Sequence, residues 1–168
     1  MSTQNKAILF DRDGTLNVDV DYLYRQEDFC WMPEAVNALL WLKQKGYELY
    51  VVTNQSGIAR GYYTLEDMQR LHKYMNDELK KYGTEIKKFY FCPHLKDGKI
   101  KEFAVDCSCR KPKPGMILQC LQENNLLAEN CVVIGDKQRD LGSAEQAGVK
   151  GYLYQGGSLL EFVKKIGL

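Results

Sequence analysis

No stretch of this sequence approaches the roughly 20 apolar residues that a bilayer crossing requires. The opening residues Met1-Ser2-Thr3-Gln4-Asn5-Lys6 hold no apolar segment of the kind that directs secretion. A cytoplasmic chain with no membrane partner is therefore expected. An excess of charge of one sign is lacking as well. The 23 Lys and Arg residues against 22 Asp and Glu leave a net charge of +1, too small for a long-range field, so nucleic acid is not an expected partner. Internal repeats, low-complexity stretches and linkers are also missing. With 45% hydrophobic residues, 168 positions suffice for one good core and not for two ordinary domains. A single domain over residues 1–168, acting as a monomer, is the expectation.

What is present alternates between two periodicities. Short apolar runs at Lys6 to Phe10, Tyr47 to Thr53, Lys88 to Cys92, Cys131 to Ile134 and Tyr152 to Tyr154 read as strands. Between and after them lie helical patterns over Pro33 to Lys45, Thr64 to Tyr82, Pro114 to Asn124, Leu141 to Ala147 and Ser158 to Ile166. Thr64 with Asp67 three residues on is an acidic variant of a capping box, and Gly46 and Gly148 stand where helices end. Strands alternating with helices predict an α/β fold of three layers, a Rossmann-like parallel sheet covered on both faces. Ligands of such sheets bind beyond the carboxyl ends of the strands. The polar residues collect there: Asp11 and Asp13, then Thr53 to Gly57, Cys92 and His94, and Gly135-Asp136-Lys137.

The six cysteines are unevenly used. Cys92-Pro93-His94 and Cys107-Ser108-Cys109 bracket a polar, Lys-rich segment with little helix or strand pattern. Two tight pairs of three thiols and one imidazole are a common set for a closed structural Zn²⁺ site, against the plainer reading of three buried free cysteines. Such a zinc staple would order Leu95 to Asp106 and hold Arg110 and Lys111, which follow at once. Cys30, Cys120 and Cys131 lie in or near apolar pattern and are expected in the core. His72 is expected on a solvated or packing face.

Asp11 and Asp13 sit two apart after an apolar strand, so in extended geometry both carboxylates point one way. Alone, Asp-x-Asp is more often an Asx turn. Here Asp11-Arg12-Asp13-Gly14-Thr15, Thr53, Lys111 in Arg110-Lys111-Pro112, and Gly135-Asp136-Lys137-x-x-Asp140 follow in order. Together they resemble the four motifs of the haloacid dehalogenase (HAD) superfamily of phosphatases from Lys6 to about Gly151. The resemblance implies a Mg²⁺-dependent phosphoric monoester hydrolase in which Asp11 attacks phosphorus and Asp13 serves as acid and then base. Mg²⁺ would take Asp11, the main-chain oxygen of Asp13, and Asp136. Thr53, the amides of Asn54 and Gln55, and Lys111 would neutralise phosphoryl oxygens. Asp140 fits either behind the metal or as a helix cap, and Lys137 either at the substrate or in solvent.

The cap domain of larger members has no room here, since Asp13 to Pro33 is a short loop. The runs Thr53-Asn54-Gln55-Ser56-Gly57-Ile58-Ala59-Arg60-Gly61 and Cys107-x-Cys109-Arg110-Lys111-Pro112 resemble a capless group acting on heptose bisphosphate or on histidinol phosphate. The span between His94 and Cys107 is long, as in heptose enzymes, which implies a small phosphorylated sugar as substrate. By the same resemblance Arg12, Asp19, Val20, Asp21, Tyr22, Asn54, Gln55, Ser56, Arg110 and Lys137 are candidate substrate contacts. Arg110 would read the phosphate that is not cleaved, or serve the reacting centre alone. Histidinol phosphate, a phosphotransferase, and a non-catalytic sugar-phosphate binding module remain the alternatives. Tyr62 and Tyr63 fit either the site mouth or a contact surface.

Overall fold

The computed structural model of the chain describes residues 5–168; the part of the leader reading that falls on residues 1–4 lies outside them. Five strands, β1 (Lys6–Phe10), β2 (Tyr47–Asn54), β3 (Lys88–Cys92), β4 (Cys131–Gly135) and β5 (Lys150–Leu153), form one parallel sheet in the order β3-β2-β1-β4-β5. Six α-helices lie among the described residues: α1 (Ala35–Gln44), α2 (Gly57–Arg60), α3 (Leu65–Lys80), α4 (Gly115–Glu123), α5 (Gln138–Gln146) and α6 (Leu159–Lys165).

The central strand shows why the sheet is covered on both faces. Ala7 and Leu9 of β1 point into a core with Met116, Ile117 and Cys120 of α4 and Ala144 of α5. Ile8 and Phe10 point the other way, onto Ala38, Leu39 and Leu42 of α1 and Leu159 and Val163 of α6. Every one of these is buried, and each large aliphatic among them contributes about 1.5–3 kcal/mol by leaving water. Among the described residues no helix is long and apolar enough to cross a membrane.

The starts of α5 and β5 fall earlier than expected. α5 begins at Gln138 rather than Leu141, because the Asp140 carboxylate accepts a 2.9 Å hydrogen bond from the Lys137 amide and caps the first turn. β5 begins two residues early, where Lys150 to Leu153 register on Val132 to Gly135. α2, four residues long, is too short to show periodicity. The capping box of α3 forms as expected, Thr64 Oγ1 accepting from the Asp67 amide and Asp67 from the Thr64 amide. Cys120 and Cys131 are buried, whereas Cys30 is exposed: its neighbours Phe29 and Trp31 turn inward and it does not.

Sheet order reverses at β1, with β2 and β3 on one side and β4 and β5 on the other. The crevice at the carboxyl ends of β1, β2 and β4 is thus the place where a ligand reaches loops from both halves.

Candidate active site

Asp11 follows β1 and is held by its amide, which donates to Ile134 O of β4 at 2.9 Å. Its Oδ1 accepts from Lys111 Nζ at 2.8 Å, and the same ammonium donates to Asp140 Oδ1 at 2.6 Å and Val52 O at 2.9 Å. All three donors of the lysine are thereby engaged, so Lys111 is a fixed positive charge behind Asp11. Burial pushes the Asp11 carboxyl up to about 7 against the pull of Lys111, with Asp140 adding to the rise. Burial disfavours the charged Lys111 as well, but Asp11 and Asp140 outweigh it and raise the lysine.

Asp13 is gripped from three sides. Arg12 Nε and Nη2 donate to it at 3.1–3.2 Å, Asn17 Nδ2 at 3.0 Å and Gln55 Nε2 at 3.1 Å. Gln55 also donates to Thr53 Oγ1 at 2.8 Å and accepts from the Tyr63 hydroxyl. The carboxylate therefore has one orientation, beside Asp11, as an acid-base group needs.

Arg12 corrects an expectation. It is wholly buried, and its guanidinium also donates to Leu23 O at 2.8 Å and to His72 Nε2 at 3.1 Å. Nothing of it reaches a substrate; it is an anchor for Asp13. An arginine has no lone pair to offer, so His72 Nε2 must be the unprotonated nitrogen. Burial holds His72 well below its usual range, and the Arg12 charge adds to the effect. His72 thus takes a packing face, stacked on Phe89 at 4.3 Å, and supports the anchor.

Asp136 directly follows β4, close to Asp11 and Asp140, with carboxylate oxygens of all three inside 4.8 Å. Both Asp140 oxygens already have partners, Lys111 and the Lys137 amide, so Asp140 is both cap and support rather than a free ligand. The oxygens left for a hard cation come from Asp11, Asp136 and the neighbouring main chain, a donor set that suits Mg²⁺. Gly14 permits the close approach: a Cβ there would sit 2.4 Å from Asp136 Oδ2. Lys137 is exposed, pairs with Asp136 Oδ2 at 3.1 Å and stands outside the pocket, at the edge of this cluster.

Over Asp11 and Asp13 opens a cavity of about 240 Å³ lined by Asp19, Asp21, Tyr22, Asn54, Gln55, Ser56, Arg60, Tyr63, Arg110 and Arg139. Of the expected substrate contacts, Val20 is exposed and off the pocket; Thr53, expected to serve the phosphoryl oxygens, is buried beneath it. The Gln55 amide cannot serve a phosphoryl group, because it donates to Cys92 O at 2.8 Å. The Asn54 side chain clasps Lys111, donating to its carbonyl at 3.2 Å and accepting from its amide at 3.0 Å. Tyr63, read as either at the site mouth or on a contact surface, lines the pocket, as do Arg60 and Arg139, which the sequence reading left unassigned. Arg60 alone carried a signal: one helical turn after Ser56 returns its side chain to the same edge.

Cys92, His94, Cys107 and Cys109 converge with ligand atoms inside 4.8 Å. Cys92 Sγ lies 3.5 Å from Cys107 Sγ and 3.7 Å from His94 Nδ1, and Cys109 Sγ 3.4 Å from His94 Nδ1. Tetrahedral ligands about 2.3 Å from a central ion stand about 3.7 Å apart, so the set fits a metal; Cys109 and Cys92 are closer, at 2.9 Å. Hydrogen bonding with Cys92, outweighing burial, draws the Cys109 thiol down to about 5, and the same contact pushes the Cys92 thiol up. Arg110 leaves this cluster with Nη1 on His94 O at 3.4 Å.

Comparison with known proteins agrees with the geometry. A family model described as haloacid dehalogenase-like hydrolase matches residues 17–148. A D-glycero-beta-D-manno-heptose-1,7-bisphosphate 7-phosphatase of Pasteurella multocida is 43% identical over 86% of this chain and 78% of its own. A D-glycero-alpha-D-manno-heptose-1,7-bisphosphate 7-phosphatase of Photorhabdus laumondii is 39% identical over 86% of this chain and 79% of its own. The crystal structure of a D,D-heptose 1,7-bisphosphate phosphatase from B. bronchiseptica, complexed with magnesium and phosphate, superposes with a TM-score of 0.80 at 31% identity. It covers 97% of this chain and 88% of that one.

Proposed function

The chain belongs to the haloacid dehalogenase-like hydrolase family, and from that premise we propose that it removes the 7-phosphate of D-glycero-D-manno-heptose 1,7-bisphosphate through an aspartyl phosphate on Asp11. The observation that carries the reading is the pairing of Asp11 and Asp13 on the floor of an uncapped pocket whose walls hold Arg60, Arg110 and Arg139 together with Asp19 and Asp21. Arginine forks bind phosphate, and carboxylates accept sugar hydroxyls. A polyol with a second phosphate matches both; a monophosphate amine has no use for three arginines.

In the first half-reaction an Asp11 oxygen forms a bond to phosphorus as the bond to the sugar oxygen breaks, and Asp13 gives its proton to that oxygen. In the second, a water attacks the phosphorus, Asp13 takes its proton, and the Asp11 ester breaks to release phosphate. Lys111 balances charge behind Asp11 throughout. Mg²⁺, held by Asp11, Asp136 and the main-chain oxygen of Asp13, would neutralise charge on the transferred group.

The Cys92, His94, Cys107 and Cys109 set would hold Zn²⁺ as a structural ion, ordering the segment that ends in Arg110 and Lys111. Such a set persists in a reducing compartment, which fits a cytoplasmic protein.

The test is phosphate release with Mg²⁺ from both anomers of the heptose bisphosphate and from histidinol phosphate, for the wild type and Asp11→Asn. Turnover of one heptose anomer, lost in the variant, is expected. Preference for histidinol phosphate would overturn the substrate, and binding without release would overturn the enzyme reading.

A further inference from the structure

Among the three pocket arginines Arg60 is the least provided for. It is the last residue of α2, which Gly61 ends by turning left-handed at φ 78°. Its side chain is half-buried on the pocket wall. Its Nε is shielded from solvent and has no hydrogen-bond partner, and no carboxylate among the described residues pairs with it. Arg110, by contrast, donates to His94 O, and Arg139 is exposed to water. The guanidinium is thus not neutralised within the protein, and its two terminal nitrogens are the donors left to face the pocket.

The surroundings hold Arg60 in place rather than neutralise it. Its guanidinium carbon stands 5.7 Å from the centre of the Tyr22 ring, a contact that steadies a cation without consuming a hydrogen bond. Tyr22 in turn packs edge-on against Tyr62 at 4.7 Å. Tyr22 and Asp21 are consecutive residues at φ 56° and 50°, in the left-handed region that side chains other than glycine rarely adopt. Strained backbone of this kind clusters at ligand clamps. The strain here delivers an aromatic face to Arg60 at the pocket lip.

We infer that Arg60, in place of the Arg110 that the sequence reading favoured, is a specificity-determining residue that grips the substrate phosphate not being cleaved, using its two terminal nitrogens as a fork; this rests on the bisphosphate reading above. Asp19 and Asp21, the other charged groups near Tyr22, repel phosphate and suit hydroxyls, so the assignment falls to an arginine. A guanidinium fork binds two phosphate oxygens at once, which a lysine ammonium cannot reproduce.

The test compares kcat/KM of the wild type, Arg60→Ala and Arg60→Lys on heptose 1,7-bisphosphate and on heptose 7-phosphate. In Arg60→Ala the ratio of bisphosphate to monophosphate efficiency should fall about tenfold or more, the loss expected of a charged hydrogen-bonding group. Arg60→Lys should fall between, and should serve alone if the alanine variant does not fold. Equal losses on both substrates would make Arg60 a prop for the lip and overturn the inference, as would an unchanged ratio. A wild type that does not prefer the bisphosphate would overturn the substrate reading itself, and Arg60's role with it.

Discussion

Lys111 Nζ lies 2.8 Å from Asp11 Oδ1, in a position where the lysine side chain is 1% and the aspartate 7% exposed. A second carboxylate, Asp140, meets the same ammonium at 2.6 Å. Removing the cation leaves two buried carboxylates facing each other, and breaking a buried pair in this way costs about 3–5 kcal/mol. Lys111→Met should therefore lose most of its activity and melt well below the wild type, as followed by circular dichroism. An unchanged melting temperature would mean that the triad is not buried in solution.

His72 gives stability a dependence on pH whose sign is fixed. Its pKa in the folded chain is depressed, chiefly by burial and then by Arg12, so between that value and about 6.5 the unfolded chain binds the extra proton. The contribution is whole above pH 6.5 and is lost as pH falls, by up to about 1.4 kcal/mol per unit. His72→Gln keeps an acceptor for Arg12 without titrating. The melting temperature of the wild type should drop more steeply than that of the variant from pH 7 to pH 5; parallel curves would contradict the assignment.

Purified protein should contain about one zinc per chain. Cys109→Ser should lower both the zinc content and the melting temperature, and should reduce turnover because Arg110 and Lys111 follow the substituted residue. Full activity in metal-analysed protein without zinc would refute the staple.

Gly14→Ala should raise the Mg²⁺ concentration for half-maximal activity at least about tenfold, as changes beside a metal ligand do. The added Cβ would strike Asp136 Oδ2 at 2.4 Å, on a backbone at φ 85°. Gly83→Ala controls for backbone strain, since Gly83 has φ 82° with nothing within 4 Å. Equal Mg²⁺ requirements in the two variants would show that collision with Asp136 is not the cause.

The alternation of apolar strands and amphipathic helices was legible because both faces of the sheet are buried, and that leaves a periodic trace. The starts of α5 and β5 were less so: Gln138 and Arg139 carry no apolar period, and the helix begins there only because Asp140 reaches back to the Lys137 amide. Asp11, Asp13, Asp136 and the cysteine pairs stood out by spacing. Arg12 did not betray its role, since a charged residue between two aspartates reads as exposed until His72, 60 residues away, is seen to receive it. Arg60 left only the faint trace of standing one turn after Ser56, since α2 is too short to show a periodic face.

The side-chain amide of Asn54, at the end of β2, grips both the amide and the carbonyl of Lys111. The loop carrying the lysine is thereby locked to the same ladder of strands that carries Asp11. The spacing between the two charges is inherited from the sheet and not from the suppleness of a loop. Warming such a molecule offers no partial slackening of the centre ahead of collapse, so thermal inactivation and thermal melting should arrive together, as one event.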